Sequence, residues 1–485
     1  WRDPYALAKD CFLVAGKDGI FVMDDQGNSE LVYRLPPRDR FMECHEPRPL
    51  QSRAREPVVA PRVDLSKPTG RVILQDIYEG RNMVGVKRGQ IKKLLVLKQL
   101  PKPYNFSGQQ PPISIDGTFT LAEILGTVPV EADGSAFFEL PALQSVFFVA
   151  LDQNDLSVKR MQSFLSLQPG ETMGCVGCHE PRTRTPSLRT GLAALGKPPR
   201  HVEPMSDMPE VLDFERDIQP ILDSHCVECH NPDRYEGRID LGGDKTPTFS
   251  ISYWTLRRHD LVSDGRNASS GNRAPRSIGS SASPLMTYLD GAHYRAKLSD
   301  HDRKVIRLWI ETGATYAGTY GALNTGIYPV ALPEDAIKQR CGNCHGKLLD
   351  DKRGRRYEPL YLGDIRHMEE LVCNISQPEK SLVLQAPLAR EAGGLGLCRQ
   401  AVFAGADDPL YREILARLRD SHNRLKNRGR FGMPGFRPHP RYIRQMQQFG
   451  ILPEDVDPKS PIDVYAVDRA YWDSMKYADG VHTCD

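Results

Sequence analysis

Three pentapeptides of one form constrain this chain more than any other feature: Cys175-Val-Gly-Cys178-His179, Cys226-Val-Glu-Cys229-His230 and Cys341-Gly-Asn-Cys344-His345. Two thiols three positions apart can add to the two vinyl groups of one porphyrin, and the adjacent imidazole then reaches under the ring to the iron. CxxC pairs serve zinc when two of them lie close enough to supply four ligands. Here the pairs stand about 50 and about 115 residues apart, and each is followed at once by histidine. The reading is three covalently bound c-type haems, with His179, His230 and His345 as iron ligands. Such attachment takes place on the oxidising side of a membrane, so a periplasmic or equivalent extracytoplasmic compartment is expected, where disulfides are permitted.

The totals exclude several classes. Sixty-four basic against sixty-two acidic side chains leave a formal charge of +2, without the basic excess of a nucleic-acid or polybasic lipid-binding surface. No run of eighteen apolar residues occurs, so no transmembrane segment is expected in this chain. The first residue is Trp1 and no basic-then-apolar leader follows, which reads as a mature product or a fragment. The expected partners are a redox protein or other subunits of a complex.

Along the chain the pattern predicts an α+β multidomain protein. Residues 1–62 hold a β hairpin around the turn cluster DDQGN, with no further strand in 1–9, and then a Pro/Arg-rich linker. A lone hairpin is marginal in water, so the natural protein is expected to extend upstream. Residues 63–210 alternate β-type runs such as KKLLVLKQL, SAFFEL and SVFFVALD with turns, which predicts a β sandwich or barrel carrying the first haem at its edge. Two mainly α-helical cytochrome c modules follow at 211–325 and 326–460, each a helix leading into a haem motif and closed by a second helix, and 461–485 reads as a tail. In the first module the closing helix has Ser299 as cap, Val305, Ile306, Trp309 and Ile310 on one face, and Gly313 at its end.

The ligand opposite each proximal histidine decides whether an iron moves electrons or binds a small molecule. For the second haem the candidate is His293, ahead of Met286, His259 and His301; for the third it is Met433, ahead of His439 and His367. His/His ligation sets a lower potential than His/Met. The first haem has only His201, Met205 and Met208 in a Pro-rich stretch without a closing helix, so an open face is expected there. Cys373 and Cys398, inside the third module, are the expected disulfide, worth roughly 3 kcal/mol by loop closure; two buried thiols are the alternative.

The pentapeptide CHEPR occurs at 44–48 as well as at 178–182, but Phe41 stands where the first copy would need its other cysteine. It cannot clamp a porphyrin through two thioethers. The run SAFFELPALQSVFFVALDQNDLSVKRMQSFLSLQPGETMGCVGCHEPR, with IYEGRNMVGVKRGQIKKL and KPYNFSG upstream, resembles the middle domain of the hydrazine synthase alpha subunit and its relatives. KLSDHDRKVIRLWIETGATY resembles the cytochrome c module that follows there, and QAPLAREAGGLGLC and MPGFRP resemble stretches of relatives with an extra haem domain.

That resemblance implies a β-propeller upstream, of which the hairpin would be the end, and a five-coordinate middle-domain haem that is the reaction centre. In the synthase a tyrosine shortly after the motif takes the iron and frees the motif histidine for zinc. Here Glu-Pro-Arg-Thr-Arg-Thr follows His179, so His179 is assigned to iron, and hydrazine synthesis is weakened as the reaction. A linker cysteine is matched by Cys44, which with His45 could approach the first haem or an additional metal ion beside it; a linker thiol without function is the alternative. The leading function is electron transfer, the second an oxidoreductase acting on a small nitrogen compound at the first haem. A purely structural role would leave three redox centres unexplained.

Overall fold

A computed structural model describes the chain apart from residues 37–41, 53–54, 56, 59, 61–62, 105–112, 116–119, 179–188, 264–270, 295, 327, 346–368, 371, 457–459 and 478–485. It divides into two units, Trp1–Pro61 and Arg62–Asp485.

The first unit is a four-stranded antiparallel meander, β1 (Arg2–Ala8), β2 (Cys11–Gly16), β3 (Gly19–Asp24) and β4 (Ser29–Arg34), paired in chain order. This corrects the hairpin expectation, because residues 2–8 do form a strand, with Tyr5 opposite Leu13. Pro4 and the largely exposed side chains of β1 hide it from a pattern reading; at a sheet edge a missing N–H costs nothing. The CHEPR segment folds back on β1. Glu43 pairs with Arg2 at 2.7 Å, Glu46 N–H donates to Asp3, and the two ring nitrogens of His45 meet Asp3 and Arg2 at 3.3 and 3.2 Å.

The second unit begins with two facing sheets. One runs β10 (Ser157–Arg160), β9 (Val146–Leu151), β6 (Lys93–Gln99), β7 (Ala122–Pro129), all antiparallel. The other is β11 (Thr172–Cys175), β5 (Thr69–Leu74), β8 (Ala136–Pro141), with β11 parallel to β5. Side chains alternate across a strand, so Leu94 and Val96 of β6 enter the core between the sheets with Val72, Leu74 and Phe138. Leu95 and Leu97 point the other way, into a second core with Phe214, Tyr253 and Trp309. Each fully buried Leu or Val contributes about 1.5–3 kcal/mol, so β6 stabilises both neighbours of its sheet. Lys98 at its end is buried too, and its ammonium meets the Glu123 carboxylate directly opposite on β7.

The helical part follows the expected plan in its first half. After a π turn at Phe214–Ile218 come α1 (Gln219–His225), α2 (Ile251–Arg258) and α3 (Asp300–Glu311). Ser299 caps α3 by accepting from Asp302 N at 3.0 Å while its hydroxyl donates to the Asp302 carboxylate, and Val305, Ile306, Trp309 and Ile310 are buried. Helix α4 (Glu334–His345) runs through the third cysteine motif, and α5 (Pro409–Arg428), capped by Asp408, packs with it around Ile375, Leu384 and Phe403.

The second half departs from the plan. Tyr442 and Met446 of α6 (Pro440–Gln448), expected to close the third module, join the large core around Trp309. The supposed tail contains α7 (Val464–Ser474), whose Tyr471 and Trp472 donate to the Lys102 and Pro101 carbonyls. Asp468 of α7 is fully buried and accepts from Thr319 Oγ1, Tyr320 N and Tyr442 Oη at 2.6, 2.6 and 2.7 Å.

Replacing Asp468 by Ala strands those three donors and is expected to lower stability by about 3–5 kcal/mol in urea denaturation. Tyr442→Phe should cost only about 1–2 kcal/mol. A loss within experimental error for Asp468→Ala would contradict α7 as an integral part of the core.

Candidate functional site

The six motif cysteines are set on three different kinds of support. Cys175 ends β11, and its loop continues the parallel pairing: Gln75 N donates to Cys175 O at 2.9 Å, Asp76 N to Val176 O at 3.1 Å, and Cys178 N to Glu79 O at 2.7 Å. Residues 75–80 therefore bracket the CxxC loop with backbone alone. The fit is close enough to require glycine twice. A Cβ on Gly177 would lie 2.1 Å from Glu79 O, and one on Gly80, at φ +157°, 2.0 Å from Cys178 O. Asp76 is anchored in turn, its buried carboxylate taking Arg88 and Arg189 at 2.5 Å each.

Beside this loop lies a cavity of about 250 Å³ between the two sheets, lined by Leu74, Leu94, Phe138 and Phe148 together with Cys175, Cys178 and Lys159. An apolar wall beside two thiols at this spacing suits a covalently held flat apolar ring. His179 lies outside the described residues. Of the alternatives for that site, His201 is exposed beside Glu139, and Met208 is buried in the large core.

The second motif sits on the end of α1. Cys226 N–H closes the helix on Leu222 O, and Cys229 and His230 both donate to Cys226 O at 3.2 and 3.0 Å, which turns the imidazole back over the loop. Burial pushes the Cys226 thiol up to about 11. His230 Nδ1 lies 2.9 Å from the Glu236 carbonyl, a bond in which Nδ1–H donates and Nε2 is left to bind. Facing it is His293, with ring centres 6.0 Å apart and planes 14° from parallel. Two imidazoles bonded to one metal ion through bonds of about 2 Å hold their centres roughly 6 Å apart. The expected pairing of His230 with His293 is thus brought together. Met286 packs on the core, burial pushes the partly buried His259 below the usual imidazole range, and His301 is exposed on α3.

The third motif is helical throughout. Cys341 and Met433 pack against the same apolar cluster, while His439 spends its Nδ1 on capping α6. His367 lies outside the described residues. The disulfide expectation is corrected: neither Cys373 nor Cys398 is bonded. Cys373 is fully buried in this core, and burial holds its thiol well above the ordinary range, whereas Cys398 is partly exposed and interacts with the Cys341 and Cys344 thiols. Spacing of twenty-five residues permits a bridge but does not bring the two side chains into one place.

Cys44 is partly buried in the first unit. Among the described residues no group of three or more His, Cys, Asp or Glu side chains is arranged to hold a metal ion, and no helix is long and apolar enough to cross a membrane. Sequence reasoning missed Lys159, the bracket at 75–80 and the position of Cys398. A cationic residue in a β run reads as outward-facing, so nothing flagged Lys159.

Gly80→Ala and Gly177→Ala should each destabilise the second unit by about 2–3 kcal/mol in thermal or urea denaturation. Gly174→Ala, whose Cβ meets nothing within 4 Å, should cost about 1 kcal/mol or less. Equal effects at all three positions would contradict the bracket.

No curated protein matches the chain. Hydrazine synthase of Kuenenia stuttgartiensis is similar among solved structures, with 20% identity, a TM-score of 0.47, and coverage of 65% of this chain and 55% of that one. The chain thus spans about half the length of that relative. Residues 89–180, from just before β6 through the first CxxCH motif, match the family model described as the hydrazine synthase alpha subunit middle domain. Through these residues the chain is related to the hydrazine synthase alpha subunit family.

Proposed function

We propose that the chain is an extracytoplasmic triheme c-type cytochrome that passes electrons among haems attached at 175–179, 226–230 and 341–345 and exchanges them with a redox partner or with other subunits. The observation that carries this reading is the His230–His293 pair, parallel and 6.0 Å apart with Nδ1 of His230 already engaged. Such a pair saturates an iron and favours electron transfer over ligand chemistry. When bound, the haems would supply reversible one-electron chemistry.

The chain's own residues hold and connect these sites. The segment just after the second motif is tied to the third region: Lys380 pairs with Asp233, Asn374 and Gln377 donate to Asp244 at 2.7 and 2.8 Å, and Ile375 N donates to Lys245 O. That continuous contact supports transfer between the second and third haems. Met433, packed with Cys341, is assigned to the third iron and would raise its potential above that of the second. The periplasmic assignment rests on where covalent haem attachment occurs.

A second reading, chemistry on a small nitrogen compound at the first haem, is favoured by the cavity beside Cys175 and Cys178. The family model matched at residues 89–180 is named for the hydrazine synthase alpha subunit. Under this reading His179 would hold the iron, and the apolar walls at Leu74, Phe138 and Phe148 would keep water out of the cavity beside the haem.

His293→Ala should convert one ferric haem of three from low to high spin and raise the carbon monoxide bound per chain by one equivalent, measured by electron paramagnetic resonance and absorption spectroscopy. An unchanged spectrum would remove His293 from the iron. Carbon monoxide binding by the unaltered protein separates the two readings: none favours electron transfer alone, one equivalent an open first haem.

A further inference from the structure

The cavity beside the first motif is apolar except at one side chain. Lys159 is the one charged residue in its lining among the described residues, and it is only 5% exposed. Its Nζ donates to the Asn82 carbonyl at 3.0 Å and to the Arg273 carbonyl. The two loops that supply these acceptors are stitched together, since Asn82 Nδ2 donates to Asn272 O at 2.6 Å and Asn272 Nδ2 to Arg81 O at 3.2 Å. The ammonium is therefore held in place.

What it lacks, among the described residues, is a carboxylate. The other two buried lysines each have one: Lys98 meets Glu123, and Lys245 meets Glu215 at 2.5 Å. Moving an ammonium out of water costs several kcal/mol unless a counter-charge offsets it, and carbonyl dipoles offset only part. Two carbonyls also leave the third N–H of the ammonium unassigned. Burial accordingly pushes the amine below the usual lysine range. A buried cation held by backbone dipoles beside an apolar cavity can receive a small anion.

We infer that the Lys159 ammonium is the counter-charge for a small inorganic anion bound in the first cavity. The inference rests on the reading that a haem attached at Cys175 and Cys178 presents an open face there. Lys159 lines the cavity together with both cysteines, whose thioether links would fix one edge of such a ring. The propionates of a porphyrin lie on the opposite edge, so the anion is an exogenous ligand and not part of the cofactor.

Azide and carbon monoxide, one anionic and one neutral, test this on the haem-loaded full chain by absorption titration. Lys159→Gln is expected to weaken azide about tenfold, equivalent to about 1.4 kcal/mol, and to leave carbon monoxide within about twofold. Lys159→Arg, which keeps the charge, should hold azide to within about threefold. Unchanged azide affinity in Lys159→Gln, or parallel loss of azide and carbon monoxide, overturns the role of Lys159 while the open face stands. If the unaltered protein binds neither ligand, the open face itself fails, and the inference with it.

Discussion

The second unit depends on one sheet being buried on both faces. β6 places Leu94 and Val96 in the core between the sheets and Leu95 and Leu97 in the core shared with α2, α3, α6 and α7. A strand so placed must be apolar without interruption, and it must neutralise any charge it keeps, as Lys98 does against Glu123. The consequence reaches the candidate sites. The first cavity takes part of its lining from one face of β6, β9 and β10, and the large core on which Cys226 packs takes Leu95, Leu97 and Val149 from the other face.

Each motif inherits a different rigidity from its support. The first is fixed by parallel strand pairing and by glycines that admit no side chain. The second is fixed by a helix end and by a hydrogen bond from its own imidazole to the Glu236 carbonyl. The third rides on a helix whose core, around Leu384 and Phe403, is separate from the large one. On the proposed reading, His293 would saturate the second site and Lys159 would receive an anion at the first, giving different work to haems of identical attachment.

Much of this was legible in the sequence where chemistry is local. The Ser299 cap with Asp302, the apolar face of α3 and the helix into the third motif need only near neighbours, and they stand as read. The placement of His293 opposite His230 was legible because His293 precedes a helix in a recognisable plan. The rest depends on contacts far apart along the chain. Nothing local marks β1 as a strand, α7 as part of the core, or α6 as a member of the larger cluster; Tyr442 and Asp468 find each other only through tertiary packing. Cys373 and Cys398 illustrate the converse, since plausible spacing did not bring them together.

The central claim is that porphyrins are joined to the polypeptide at three places. Peptide mass spectrometry of the native protein tests it most directly. The account predicts three peptides, spanning 175–179, 226–230 and 341–345, each carrying one haem through both of its cysteines. Recovery of all six cysteines as unmodified thiols from protein matured in an extracytoplasmic compartment would contradict it.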